Sequence, residues 1–132
     1  MAARVTVFAK DLARISAFYE TAFGLGLVED DPGVLRILGD QDWTLTVLAI
    51  PPHIAESIVI ADPPIRREGT PIRLDFILAS IEASRPVIRH LGGDVDPAGQ
   101  TWEAGGFRRC NGSDPEGNVF GLIEPAAVIP LS

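Results

Sequence analysis

Residues 114–124, Asp114-Pro115-Glu116-Gly117-Asn118-Val119-Phe120-Gly121-Leu122-Ile123-Glu124, decide how the rest of the chain is read. An Asp side chain bonds to backbone two residues on, and Pro presets φ for its own position, so Asp114-Pro115 opens a turn. Gly117 and Asn118 tolerate positive φ and let the chain reverse tightly. Val119 to Ile123 then leave the turn as a strand. The stretch is a hairpin turn that delivers a last strand into a sheet. Such turns are common in β proteins, and this one takes its meaning from what stands before it.

Upstream the same plan occurs twice. Residues 4–9 form a strand rich in β-branched and aromatic residues. Asp11 caps a helix whose apolar stripe is Leu12, Ile15, Phe18, Tyr19, Ala22 and Phe23, and Gly24 and Gly26 stop it. Strands follow near 27–30, 34–38 and 43–50, with the turn Asp31-Pro32-Gly33 between the first two. Residues 51–70 break the pattern with Pro51-Pro52, Pro63-Pro64 and Arg66-Arg67-Glu68-Gly69 around the apolar island Ile58-Val59-Ile60. They read as a linker holding at most a short strand or a turn of helix. The plan then returns: a strand at 73–78, Ser80 in the place of Asp11, a helix ending at Leu91-Gly92-Gly93, and strands at about 94–97, 106–111 and 119–123. An offset of 69 residues places Arg4 on Arg73, Val5 on Leu74, Val7 on Phe76 and Leu12 on Ile81. Pro86 removes a backbone donor, so the second helix is expected to start near Ser84, with Pro86 in its tolerant first turn. The repeat lies in pattern rather than in letters.

The totals bound the reading. A chain of 132 residues is one domain's worth, residues 1–132, and 46% hydrophobic with 22% charged is an ordinary globular composition. Eighteen acids against eleven bases give a net charge of −7, which argues against nucleic acid as a partner, since phosphate binding needs a basic patch. No apolar run nears the roughly 20 residues that span a bilayer, and no basic-then-apolar leader is present. No membrane partner is expected, and the expected compartment is the cytoplasm. A single cysteine, Cys110, excludes an internal disulfide and a cysteine-rich zinc knuckle.

Two β-α-β-β-β modules, residues 4–50 and 71–124, joined by the linker 51–70 and closed by the DPxGN turn, resemble the vicinal oxygen chelate superfamily. That superfamily includes glyoxalase I, the extradiol dioxygenases and the bleomycin-resistance proteins. Asp11 with Phe18-Tyr19 and Gly24 is similar to its first-helix signature, and Asp114 to Asn118 to its second-module signature. The resemblance implies an α+β fold in which two βαβββ modules form a curved mixed sheet around a concave cavity, helices outside. It also implies a homodimer or an equivalent pairing of modules within one chain.

Strand alternation sorts the side chains. Val5, Val7, Ala9, Leu74, Phe76, Leu78, Phe120 and Leu122 belong under the helices. Arg4, Thr6, Phe8, Arg73, Asp75, Ile77, Val119, Gly121 and Ile123 then face the concavity. In metal-using members of the superfamily, His, Glu or Gln ligands stand at the positions that fall here on Arg4, Arg73 and Gly121, with a fourth, less sharply located, on the strand 43–50. A guanidinium has no acceptor, glycine has no side chain, and two fixed positive charges repel a cation. No metal and no cofactor are therefore expected. Two inward arginines would instead form an anion clamp, each fork taking a carboxylate or phosphate in two parallel bonds. The plainer alternative is that each arginine pairs with a nearby acid such as Asp75.

Trp43 and Trp102 offer flat faces for stacking a ligand, Trp102 from the glycine-flanked loop 99–106, or else pack over a sheet edge. Of Phe107 and Arg108, one must face inward, and alternation alone leaves open which. His53 and His90 have no partner at ligand spacing. Cys110, beside Arg109, reads as a buried thiol, and Glu103 and Glu124 are the carboxylates open to a base role. The sequence thus points to a glyoxalase/bleomycin-resistance-like protein, metal-independent, binding a small organic molecule, anionic or aromatic. Its expected ligand-binding set is Arg4, Thr6, Phe8, Trp43, Arg73, Asp75, Trp102, Phe107, Arg108 and Gly121, with catalytic residues unknown and enzymatic activity undecided. The alternatives are a lyase, isomerase or dioxygenase-type enzyme of the same superfamily, and a non-catalytic dimeric interaction module.

Overall fold

The computed structural model describes residues 4–40, 42–70 and 72–126. The chain divides into two compact units, Met1–Ile65 and Arg66–Ser132, the division falling inside the expected linker. The architecture is α+β, built from two βαβββ-like modules with mixed sheets. Among the described residues no helix is long and apolar enough to cross a membrane.

In the first unit β1 (Val5–Ala9) leads into α1 (Leu12–Phe23), then β2 (Gly26–Asp31), β3 (Leu35–Gly39) and β4 (Thr44–Ala49). The sheet order is β1-β4-β3-β2, with β1 and β4 parallel and the other pairs antiparallel. Asp11 caps α1 as its chemistry requires, accepting from the Arg14 amide at 3.1 Å. Gly24 ends the helix at φ +64, the left-handed conformation that costs glycine nothing. Ile15, Phe18 and Tyr19 are fully buried against Leu38, Leu45 and Val47, each large side chain contributing about 1.5–3 kcal/mol. A four-residue helix, α2 (Pro52–Ala55), opens the linker, as the Pro51-Pro52 pair allows.

The second unit repeats the plan with one addition. Its elements are β5 (Leu74–Ile77), α3 (Ile81–His90), β6 (Asp94–Val95), β7 (Trp102–Ala104), β8 (Phe107–Ser113) and β9 (Val119–Pro125). The order β5-β9-β8-β6 matches the first sheet position for position, and β7 adds a short strand to β8. Segment 99–106, expected as a loop, therefore carries a strand, and Trp102 starts it instead of riding on a mobile tip. The Gly105-Gly106 pair, both at positive φ, makes the tight reversal that lets β7 fold back on β8.

The second helix starts at Ile81, three residues before the expected Ser84. Ser80 supplies the reason: its hydroxyl accepts from the Ala83 amide at 3.1 Å, fixing the first turn there. Pro86 consequently lies inside the helix, not in its first turn. Starting at Ile81 puts Ile81, Arg85 and Ile88 on one buried face.

Arg85 is the charged member of that face. Its guanidinium donates to the Glu82 carboxylate at 2.9 Å and to the Asp96 carbonyl, and lies 3.7 Å from the Cys110 sulfur. Burial pulls its pKa down, but the Glu82 hydrogen bond and the neighbouring thiol outweigh that, the net shift is upward, and the group stays charged.

The turn at 114–118 closes the second sheet. The Asp114 amide donates to the Asn118 carbonyl at 3.0 Å, and Gly117 takes φ +84. Asn118 does not use positive φ; its side-chain amide donates to Asp114 Oδ2 at 2.8 Å instead. The Asp114 carboxylate, fully buried, also accepts from the amides of Glu116 at 2.8 Å and Asn118 at 3.0 Å.

Candidate functional site

Each sheet has a face covered by its helix and a face turned away from it. On β1 the burial pattern follows the expected alternation: Val5, Val7 and Ala9 are the more buried set, and Thr6 and Phe8 are exposed. Arg4 precedes that strand and is exposed, and Trp43 stands half-buried just before β4. These four candidate residues belong to the first unit.

In the second unit the hairpin register decides what shares the open face. Ser113 pairs with Val119, Asn111 with Gly121, Arg109 with Ile123 and Phe107 with Pro125, while Gly121 pairs in turn with Asp75. Directly opposed residues point to the same side of a sheet. The open face therefore carries Phe107, Arg109, Asn111, Gly121 and Asp75, with Arg73 just before β5. Arg108 does not belong to it. It opposes Glu124 on the helix-covered side, 3.8 Å from that carboxylate, which also accepts from the Ile81 amide at 3.3 Å. Of the two residues between which alternation could not choose, β8 turns Phe107 to the open face and Arg108 to the helix-covered one.

Two residues of this face, Arg109 and Asn111, escaped the sequence reading. The signal for both was present, because counting backwards from the turn closed by Asp114 and Asn118 places Asn111 opposite Gly121. Trp102 pairs with Arg109 across the β7–β8 ladder.

Asp75 is the hub. Its Oδ1 lies 3.3 Å from Arg73 Nε and its Oδ2 3.6 Å from Arg109 NH1. Arg73 NH1 donates to Asn111 Oδ1 at 2.5 Å, and Arg109 Nε donates to the Ala104 carbonyl at 3.1 Å. The Arg109 guanidinium also lies over the Phe107 ring at 5.9 Å from its centroid. Gly121 makes this possible. A Cβ there would overlap the Asp75 carboxylate and stand 3.1 Å from Arg73 Nε. The carboxylate lies flat on the bare backbone of β9.

Above this cluster runs the segment 66–70. Arg66 anchors it, donating to Asp96 at 2.5 Å, Asp94 at 3.1 Å and the Ser113 hydroxyl at 3.3 Å. The Arg67 amide donates to the Gly117 carbonyl at 2.8 Å. Between segment and sheet lies a polar recess of about 470 Å³, lined among others by Arg67, Glu68, Thr70, Arg73, Asp75 and Asn111. A larger hollow of about 670 Å³ lies in the first unit, but Leu12, Val34, Ile50, Pro51 and Pro52 make it largely aliphatic, and no candidate residue lines it.

The family's divalent ion does not fit these residues. Arg73 offers no lone pair, Gly121 no side chain, and Asp75 is already held by two guanidiniums. Among the described residues no three His, Cys, Asp or Glu side chains come together as a metal site. His53 and His90 are both exposed and lie at the last turns of α2 and α3. Cys110 is fully buried, and its guanidinium neighbour is Arg85 of α3, because Arg109, adjacent in sequence, points to the other face of β8.

A βαβββ repeat closed by this turn defines a class, and sequence comparison agrees. Residues 4–123 match the family model for the glyoxalase-like domain, and the chain belongs to that family. No curated protein sequence matches it. Solved structures do. A glyoxalase/bleomycin resistance protein/dioxygenase family enzyme from Burkholderia phytofirmans PsJN superposes with a TM-score of 0.69 at 23% identity, over 93% of this chain and 97% of that one. Lactoylglutathione lyase from Agrobacterium tumefaciens gives 0.59 at 23% identity, over 94% and 92%. A variant of the fosfomycin resistance protein FosX from Listeria monocytogenes, complexed with Mn(II) and 1S,2S-dihydroxypropylphosphonic acid, gives 0.67 at 16% identity, over 93% and 88%. At these identities the likeness is one of fold.

Proposed function

We propose that this glyoxalase-like chain works without a metal ion and binds a small organic anion in the recess of its second unit. One observation carries the reading. Of the positions where metal-using relatives need donor side chains, the second unit has Arg73 and Gly121, which offer none, and the Asp75 carboxylate is held between the guanidiniums of Arg73 and Arg109. The recess falls within the roughly 300–1,000 Å³ usual for ligand sites. Its polar walls favour an anion over the aromatic ligand that the two tryptophans suggested, since neither Trp43 nor Trp102 lines it. For a lyase or isomerase reading the structure offers less: the Asp75 carboxylate is engaged by Arg73 and Arg109, and Glu124 by the Ile81 amide and Arg108 on the helix-covered side, away from the recess.

Calorimetric titration of the purified full chain with small carboxylates, neutral alcohols and amines, alongside elemental analysis, tests the proposal. Binding restricted to anions, with substoichiometric Mn, Fe, Ni and Zn, is the expected result. A stoichiometric metal lost together with ligand binding on chelation would overturn it. A homodimer belongs to the same reading, and a monomeric mass by light scattering would remove it.

A further inference from the structure

The recess of the second unit is walled by groups that differ in what they have left to offer. Arg66 is spent on Asp94, Asp96 and Ser113, and Arg73 on Asp75 and Asn111. Arg67 is different. Its backbone is pinned to Gly117, yet its exposed side chain makes no hydrogen bond or ion pair among the described residues. It is the cation of this recess with an unused fork. Asn111 spends its oxygen on Arg73 and keeps its amide hydrogens, while Glu68 and Thr70 have no partner among the described residues.

Charge and polarity narrow the ligand. Arg66 and Arg73 are paired with carboxylates and Arg67 is not, so the recess offers one open guanidinium fork and suits a single negative charge rather than two. Glu68 and Asp75 supply acceptors, and Asn111 and Thr70 supply donors, which together match hydroxyl groups. Val119 is the one large apolar side chain in the lining, so a ring would find no face to stack on. A neutral polyol would leave the Arg67 charge without a counter-charge.

Building on the anion-binding reading above, we infer that the ligand is a hydroxylated monocarboxylate. Arg67 receives its carboxylate in a two-bond fork, and Asp75, Glu68 and Asn111 engage its hydroxyls. Arg67, on the segment 66–70, is then the affinity-setting residue, with Arg73 and Arg109 holding Asp75 in place.

The test is calorimetry on the full chain with D-gluconate, sorbitol, benzoate and inorganic phosphate, repeated on Arg67→Gln and Arg67→Lys. Gluconate is expected to bind at least tenfold tighter than the other three. Arg67→Gln should lose at least tenfold in gluconate affinity with an unchanged thermal midpoint, and Arg67→Lys should recover part of it. Benzoate or phosphate binding as well as gluconate would overturn the ligand class while leaving an anion site standing. Gluconate affinity unchanged in Arg67→Gln would overturn the role of Arg67. Failure of the wild-type chain to bind any of the three anions would remove both this inference and the reading beneath it.

Discussion

Replacing Gly121 by Ala tests the hub of the open face directly. The new Cβ overlaps the Asp75 carboxylate, which is the movable end of a side chain and must swing away. Swinging away breaks the contacts with Arg73 and Arg109, whose side chains are 31% and 23% exposed. Half-exposed ion pairs of this kind are worth about 0.2–1 kcal/mol each, so the two together give about 0.5–2 kcal/mol. Backbone strain adds nothing, because Gly121 is not at positive φ, and replacing glycine in a strand returns up to about 1 kcal/mol. The net effect of Gly121→Ala therefore runs from near neutral to a cost of about 2 kcal/mol. The decisive measurement is a double-mutant cycle with Asp75→Ala, read from urea midpoints at constant m. Once the carboxylate is gone, Gly121→Ala should become neutral or stabilising. An equal cost in both backgrounds, or a loss above about 3 kcal/mol, would refute the account of what lies over β9.

The remaining expectations concern the scaffold. Gly39→Ala should cost more than Gly121→Ala, about 1–3 kcal/mol, because its Cβ would run into the Trp43 carbonyl and the Thr44 backbone, which cannot rotate away; denaturant unfolding checks the ranking. Asp114→Ala leaves the buried amide of Glu116 and the half-buried amide of Asn118 without their acceptor and should cost roughly 2–4 kcal/mol, visible as a large drop in midpoint. Arg85→Leu leaves the Asp96 carbonyl with only the weak Cys110 thiol as a side-chain donor and should cost about 1–3 kcal/mol while leaving anion affinity intact, since α3 lies on the other side of the sheet.

What was legible in the sequence follows from which interactions are local. Both caps, the Gly24 stop and the Asp114–Asn118 turn could be read because each depends on residues within four positions of one another. Alternation on β1 and β5 was legible because a strand has only two sides. The start of α3 was misplaced by weighing Pro86 above Ser80, although a capping hydroxyl sets the first turn and a helix tolerates a proline within it. Which of Phe107 and Arg108 faces the open side stayed undecided for want of the β8–β9 register, which the closing turn determines. The role of Arg67 was not legible, since it depends on segment 66–70 crossing a sheet face, a contact between residues far apart in sequence.

In both sheets the strand made last sits in the interior: β4 between β1 and β3, and β9 between β5 and β8. On the ribosome, then, neither half can finish until its final segment emerges. The first half closes with Thr44–Ala49, whereas the second holds two unmatched strand margins until Val119–Pro125 arrives. That waiting interval is where a nascent copy is most open to pairing with the wrong neighbour.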